Sequence, residues 1–326
     1  MNAFNAVVRM ATIGALMMAI AGPVAAQQSY PGKPIRFISP YAPGGGTSIV
    51  ARIISQKLSE SWGQPVIVDN RPGANTMIGA ETLVKSAPDG YTIYITAVTH
   101  VVVPLLFKPP YDVIKDFAPV ATLTRGEFVL VIHPSVPANN LQELIALAKA
   151  RPGQLNYAST GAGSIQHLGG ELFNMIAGVD IRHIPYKGSG PAAADLLGGQ
   201  VQMFFSPPIT VIPYINNGRL KAIAITGEKR KSALPQVPTM AEAGMPGYEV
   251  RTWYGILAPA GTPRSIVDKL STEIARILAL PDVTEKLISL GLEPLVSTPA
   301  QFATLMKADM DRYAKIVRDA KIKLKY

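Results

Sequence analysis

The chain has no cysteine in 326 residues. A disulfide framework, a thiolate metal site and a thiol nucleophile are therefore excluded, whatever compartment it occupies. Aromatic residues make up only 7% of the chain and are not interleaved with basic ones, which argues against a stacking platform for nucleic acid. The four histidines, His100, His133, His167 and His183, are spread along the chain without metal-ligand spacing. Ser164 and His167 stand three apart, but no G-x-S-x-G elbow surrounds the serine and no acidic partner is evident. No catalytic residue, metal or cofactor is expected. The one long apolar run, Met10 to Ile20, falls short of the roughly 20 residues that span a bilayer.

That run reads as a leader. Arg9 is the only charge before it, Gly22 and Pro23 break it, and Val24-Ala25-Ala26 sets small residues before Gln27. Cleavage after Ala26 and export to an extracytoplasmic, periplasmic space follow, with residues 1–26 as signal peptide. With no cysteine after the cleavage point, a lipid anchor is not available. The formal charge is +9, and loss of Arg9 leaves 30 basic against 22 acidic residues. Such a balance favours an anionic partner. The basic residues are scattered, and the densest group, Lys321, Lys323 and Lys325, lies at the C-terminus, so a small organic anion is a better partner than a polyanion.

From Gln27 onward, short apolar strands alternate with helical periods. Strands are expected at 35–39, 66–69, 91–96, 155–158, 181–184 and 201–205. Between them, helices are expected from about 49 to the Trp62-Gly63 stop, and over 76–85, 141–150, 165–177 and 192–197. The alternation predicts an α/β fold of mostly parallel sheets flanked by helices. Extended pairs at 120–124 with 128–132, and at 221–225 with 250–258, would let the chain leave a first lobe and return. Residues 27–124 plus 226–292 are expected to form one lobe and 125–225 the other. Helices over 265–278 and 283–290 follow, and a final segment, 293–326 with a helix from Pro299, is expected to pack across both lobes.

Two loops carry the chemistry. "YAPGGGTS", Tyr41 to Ser48, leaves a strand end and enters a helix, where ligands bind in open α/β sheets. Gly44, Gly45 and Gly46 let backbone N–H groups approach a ligand, and Thr47 or Ser48 can cap the helix and present a hydroxyl. The geometry suits a carboxylate or a phosphate, although the stretch matches neither a dinucleotide fingerprint nor a Walker loop and a tight turn that binds nothing would look alike. "YASTGAGSIQHL", Tyr157 to Leu168, repeats the design in the other lobe, with Ser159, Thr160, Gly163 and Ser164 as donors and His167 lining the cleft or packing beside it. Two such helix starts facing a cleft are the architecture of a closing two-lobed receptor. Ala74 and Asn75, Thr96, Val98 and Thr99 at a strand end, and Lys187 in a turn are further cleft candidates. Arg71 can equally brace a loop.

In order, "YAPGGGTSIVAR", "VDNRPGANTMIGAE", "APDGYT", "NYASTGAGSIQHLGGELF", "PYKGSGPAAADLLGGQV" and "LPQVPTMAEAGMPGYE" are spread along the chain after the leader. This set resembles the Bug-type receptors, extracytoplasmic solute-binding proteins associated with tripartite tricarboxylate transporters. The resemblance implies a Venus-flytrap, periplasmic-binding-protein fold. It also implies a small carboxylate ligand, commonly a dicarboxylate, an amino acid or an aromatic acid, held by backbone amides, hydroxyls and bridging waters. Many members have Asp where this chain has Ser48, and Asp after the 201–205 strand where it has Ser206. An amino acid's ammonium would then lack a counter-charge, at a cost of several kcal/mol if buried; a ligand other than an amino acid is expected. The expected role is capture of that acid by a monomer and delivery to a membrane permease. A sensing adaptor for a sensor kinase shares every residue feature, and a secreted α/β enzyme acting on small acids lacks an evident nucleophile, base or metal cluster.

Overall fold

The computed structural model describes residues 30–319; the predicted leader and the last lysines lie outside them. Two sheets carry the fold. The first holds six strands in the order β11-β4-β10-β3-β1-β2, the second five in the order β7-β6-β8-β5-β9. In the first, β1 (Ile35–Ser39), β2 (Val66–Asn70) and β3 (Thr92–Ala97) run parallel. β4 (Phe117–Glu127), β10 (Arg251–Pro259) and β11 (Glu293–Pro294) join antiparallel. In the second, β6 (Asn156–Ser159) lies parallel between β7 (Arg182–Pro185) and β8 (Met203–Ser206), while β5 (Val129–Ile132) runs antiparallel to β8 and to β9 (Lys221–Ile225). Each sheet is mixed rather than mostly parallel. The reason is the crossing between lobes: β4 runs almost straight into β5, and that strand direction opposes the βα units on either side.

Three hydrogen bonds through Thr226 tie the crossing strands together. Phe128 N–H donates to Thr226 Oγ1 at 2.9 Å, Thr226 N–H donates back to Phe128 O at 2.9 Å, and Thr226 Oγ1 donates to Val250 O at 2.6 Å. Between Thr226 and Val250 the chain stays beside the second sheet, with Met240 N–H donating to Ile225 O at 2.8 Å. The first sheet is rejoined only at Arg251.

Most helices lie where the apolar period places them. They are α1 (Gly46–Trp62), α2 (Met77–Val84) after a single 3-10 turn at Ala74–Thr76, α3 (Thr99–Leu106), α4 (Leu141–Ala150) and α5 (Ile165–Ala177). There follow α6 (Ser189–Leu197), α7 (Pro208–Asn216), α8 (Arg264–Leu278), α9 (Pro281–Ser289) and α10 (Pro299–Asp319). α1 buries Val50, Ala51, Ile54 and Leu58 and stops at Gly63, whose φ of 63° closes the last turn. α4 starts at Asn140, whose side chain accepts from Glu143 N–H. α3 and α7 depart from the apolar-period reading, because Pro104 and Pro213 sit inside them and proline normally ends a helical reading. α10 rests on the first lobe, where Phe302 meets Trp253 edge-on at 5.1 Å and Tyr313 donates to Arg251 O at 3.0 Å.

Candidate functional site

The strand ends of both lobes face one another across a small, half-open cavity of about 20 Å³, room for about one water. Five helices begin at its wall. α1 contributes Gly45, Gly46 and Thr47, α3 Thr99, α5 Ile165 and Gln166, α6 Ser189, and α7 its preceding residue Pro207. The N-terminal N–H groups of a helix have no intrahelical acceptor, and the macrodipole places about half a positive charge there. Tyr41, Ala97 and Thr160 close the sides, and Phe128, Thr252 and Tyr254 of the crossing strands form the floor. No charged side chain lines this cavity. At its wall, the groups that favour an anion are helix dipoles, backbone amides and hydroxyls.

Three glycines open the first loop for distinct reasons. Gly44 turns the chain with φ +85°, Gly45 is the N-cap residue of α1 and no side chain caps that helix, and Gly46 is its first residue. A Cβ on Gly46 would fall 2.2 Å from Tyr254 Oη. On the opposing lobe a Cβ on Gly190 would fall 2.2 Å from Pro43 O, and Ala42 N–H donates to Lys187 O at 2.9 Å. The lobes thus meet backbone to backbone, a contact that side chains would prevent.

The phenols remain neutral donors. Burial pushes the Tyr41 hydroxyl, beside Thr99 and Thr160, up to about 12, and raises that of Tyr254 well above its ordinary value, with Tyr41 adding to the shift.

The second loop is built differently. Ser164 Oγ accepts from His167 N–H at 3.2 Å, so α5 carries its own cap. Gly163 N–H donates to His167 Nδ1 at 2.9 Å, which fixes that ring nitrogen as an acceptor. Ser159 Oγ accepts from Gly161 N–H at 3.1 Å and meets His183 Nε2 at 2.5 Å. The two imidazoles stack with centroids 3.9 Å apart, and burial lowers His167 to about 4 and, with His167 beside it, His183 to about 3. Thr160 Oγ1 donates to Gln166 Oε1 at 2.9 Å.

A second chamber, of about 190 Å³, adjoins the first and shares Tyr41 and Thr160 with it. Ala74, Asn75 and Lys187 line it, together with Gly161 and Tyr186 from the second lobe. The backbone from Ala74 to Thr76 holds three consecutive positive φ angles, 44°, 49° and 78°, which non-glycine residues adopt at a cost and which cluster at ligand sites.

Of the expected cleft residues, Tyr41, Gly45, Gly46, Thr47, Thr99 and Thr160 line the first cavity, and Ala74, Asn75 and Lys187 the second. The others stand behind them. Gly44 packs toward Gly190, Thr96 Oγ1 turns to Ala97 O, and Val98 precedes α3. Ser159, Gly163, Ser164 and His167 brace their own loop through the bonds given above. Ser48 is buried with its hydroxyl unpartnered, and Ser206 Oγ donates to Pro207 O at 3.1 Å; neither lines the cavity, so the contrast with aspartate has no direct expression at its wall. Sequence reasoning missed Ser189, Gln166, Pro207, Thr252 and Tyr254. A Gly-Ser-Gly at the start of α6 and a proline pair at the start of α7 were the available signals; the two strand residues gave none.

This fold and this neutral, dipole-lined cavity define a two-lobed α/β solute-binding protein. Residues 50–322 match the model of the tripartite tricarboxylate transporter family receptor, and the chain belongs to that family. It is 40% identical over 309 residues to Protein BugT of Bordetella pertussis (strain Tohama I), covering 94% of each chain. Rpa4515 of R. palustris, solved with adipate, superposes with TM-score 0.88 at 35% identity over 90% of this chain and 99% of its own. The periplasmic binding protein BugD gives 0.87 at 33% over 90% and 99%. MatC (Rpa3494) from Rhodopseudomonas palustris, with bound malate, gives 0.84 at 34% over 88% and 100%. These relatives are binding proteins rather than enzymes.

Proposed function

We propose that the chain is an extracytoplasmic receptor that captures one small carboxylate between its lobes and delivers it to a membrane permease. The convergence of five helix N-termini on a cavity without charged side chains carries this reading: dipoles and hydroxyls favour an anion, and a cavity this small requires the lobes to part before an acid enters. Adipate on one relative and malate on another support the carboxylate class. The lining offers no Asp or Glu to an ammonium, so non-amino acids are preferred to amino acids. The lobes hinge where Phe128, Thr226 and Val250 meet, the leader ends at Ala26, and the mature receptor is a monomer. Delivery to a permease rests on the family's description as a transporter receptor.

The test uses the protein exported with its own leader, its N-terminus read by mass spectrometry. A thermal-shift screen sets dicarboxylates, aromatic acids, amino acids and phosphate esters against it. An acid at about 100 times its Kd adds roughly 2.7 kcal/mol of stability, a clear shift. Non-amino carboxylates should raise Tm and reduce the radius of gyration in small-angle scattering. A response to amino acids alone would overturn the ligand class, and silence throughout would overturn the receptor reading.

A further inference from the structure

We infer that Asn75 is a specificity-determining residue whose carboxamide reads a neutral hydrogen-bonding group, a carboxamide or a hydroxyl, at the ligand's end opposite its carboxylate. This rests on the receptor reading of the site. A ligand whose carboxylate sits at the helix N-termini passes Tyr41 and Thr160, the walls common to both chambers, and its far end enters the second.

That chamber has few polar groups left to offer. Pro40 and Pro185 have no donor, the Tyr186 hydroxyl is committed to Asp195 Oδ2 at 2.7 Å, and Thr160 Oγ1 to Gln166. Thr76 leaves its single hydroxyl unpartnered, and Asn75 leaves a whole carboxamide: both its Oδ1 and its Nδ2 are buried without a hydrogen-bond partner. Its Oδ1 approaches the second lobe, 3.2 Å from where a Cβ on Gly161 would lie. A buried carboxamide with neither end paired is costly to keep, and this one stands on a backbone of φ 49° and ψ 55°, one that asparagine tolerates better than most residues.

The pairing rule follows from the amide itself. It presents one acceptor and one donor group, whichever way it is turned. A bare carboxylate satisfies the Nδ2 but sets like partial charges against Oδ1, and an ammonium makes the opposite error. A carboxamide or a hydroxyl both donates and accepts. The one charged side chain lining the chamber, Lys187, is exposed, where solvent screens its pull on a second carboxylate. A site built to hydrogen-bond a ligand group discriminates strongly against the analogue that cannot reciprocate.

Titration calorimetry on the exported protein tests this with two matched sets. Each holds a plain acid, a diacid, the diacid's monoamide and the ω-hydroxy acid: hexanoate, adipate, adipamate and 6-hydroxyhexanoate, and the four-carbon equivalents. The monoamide and the hydroxy acid of at least one set should bind about tenfold tighter than its diacid and plain acid. In Asn75→Gly, which retains the positive φ, that preference should fall to near one. Asn75→Asp, also tolerant of this backbone, should weaken the diacid further relative to the hydroxy acid. A diacid that binds tightest, or a preference that survives in Asn75→Gly, overturns the inference while leaving the receptor reading intact. Failure of every acid to bind overturns both.

Discussion

The two loops that read alike in sequence, Tyr41 to Ser48 and Tyr157 to Leu168, reach the cavity in opposite states. The first enters α1 with no side chain at its N-cap; its early amides have only a ligand or water to serve. The second enters α5 already capped by Ser164 and braced by His167 and His183. One loop keeps its donors in reserve, and the other uses its side chains to stay rigid. A closing receptor needs both: a site whose amides gain most when an anion arrives, and a counterface that costs little further ordering.

The largest expected effect comes from giving the first loop the cap that the second has. Gly45 sits at φ −90°, and a Cβ there would lie 3.4 Å from Ser189 N, so a side chain fits with only slight adjustment. In Gly45→Asp the new carboxylate should accept from the first amides of α1, stabilising the ligand-free protein by about 1 kcal/mol while occupying the anion site. Affinity for carboxylates should fall at least tenfold by calorimetry as the unliganded Tm rises. Unchanged affinity would show that these amides are not the anchor, and the contrast between the loops would lose its functional meaning.

Acid should separate the lobes next. His100 in the first lobe is lowered to about 4 by burial, which outweighs its bond to Val113 O, whereas His167 and His183 form a stacked pair in the second. Tyr157 and the Glu171 carboxylate, 3.9 Å from His167 Nε2, face that pair. Each imidazole titrates near 6.5 when unfolded and much lower when folded, so the unfolded chain binds more protons between those values. Stability is therefore intact above about pH 6.5 and declines as pH falls toward 4 and then 3, on the order of 1 kcal/mol per pH unit per histidine. Denaturant melts from pH 7 to 4.5 should show the decline. It should flatten more in a His167→Gln, His183→Gln double variant than in His100→Gln; the reverse order would shift the acid-sensitive point to the first lobe.

The sequence carried the loops but not their difference. Strand β1, helices α4 and α5 and strand β9 fall on the expected residues, because a clean period bounded by Asn140, Ser164 or glycine is a local signal. The antiparallel crossings were not legible as such, since strand direction depends on which distant segment pairs with which. The site divided in the same way. Tyr41, Gly45, Gly46 and Thr47 announce themselves by composition, while Thr252 and Tyr254 lie within an apolar strand and reach the cavity only because β10 pairs with β3 and β4. Ser48 and Ser206, expected from the resemblance to bear on the choice of ligand, both stand behind the wall.

The smallest predicted effect is also the cleanest probe of rigidity in the second loop. Ser164→Ala removes the acceptor of His167 N–H, an ordinary N-cap loss of about 1 kcal/mol, and should lower Tm by a few degrees. Because the Ser164 side chain bonds within its own loop and does not line the cavity, the loss should be nearly the same with and without a saturating carboxylate. The binding affinity should then move less than threefold. If instead the variant loses affinity as steeply as Gly45→Asp does, the second loop would be acting as a direct anchor, and the two loops would be equivalent grips rather than a reserve of donors set against a prebuilt face.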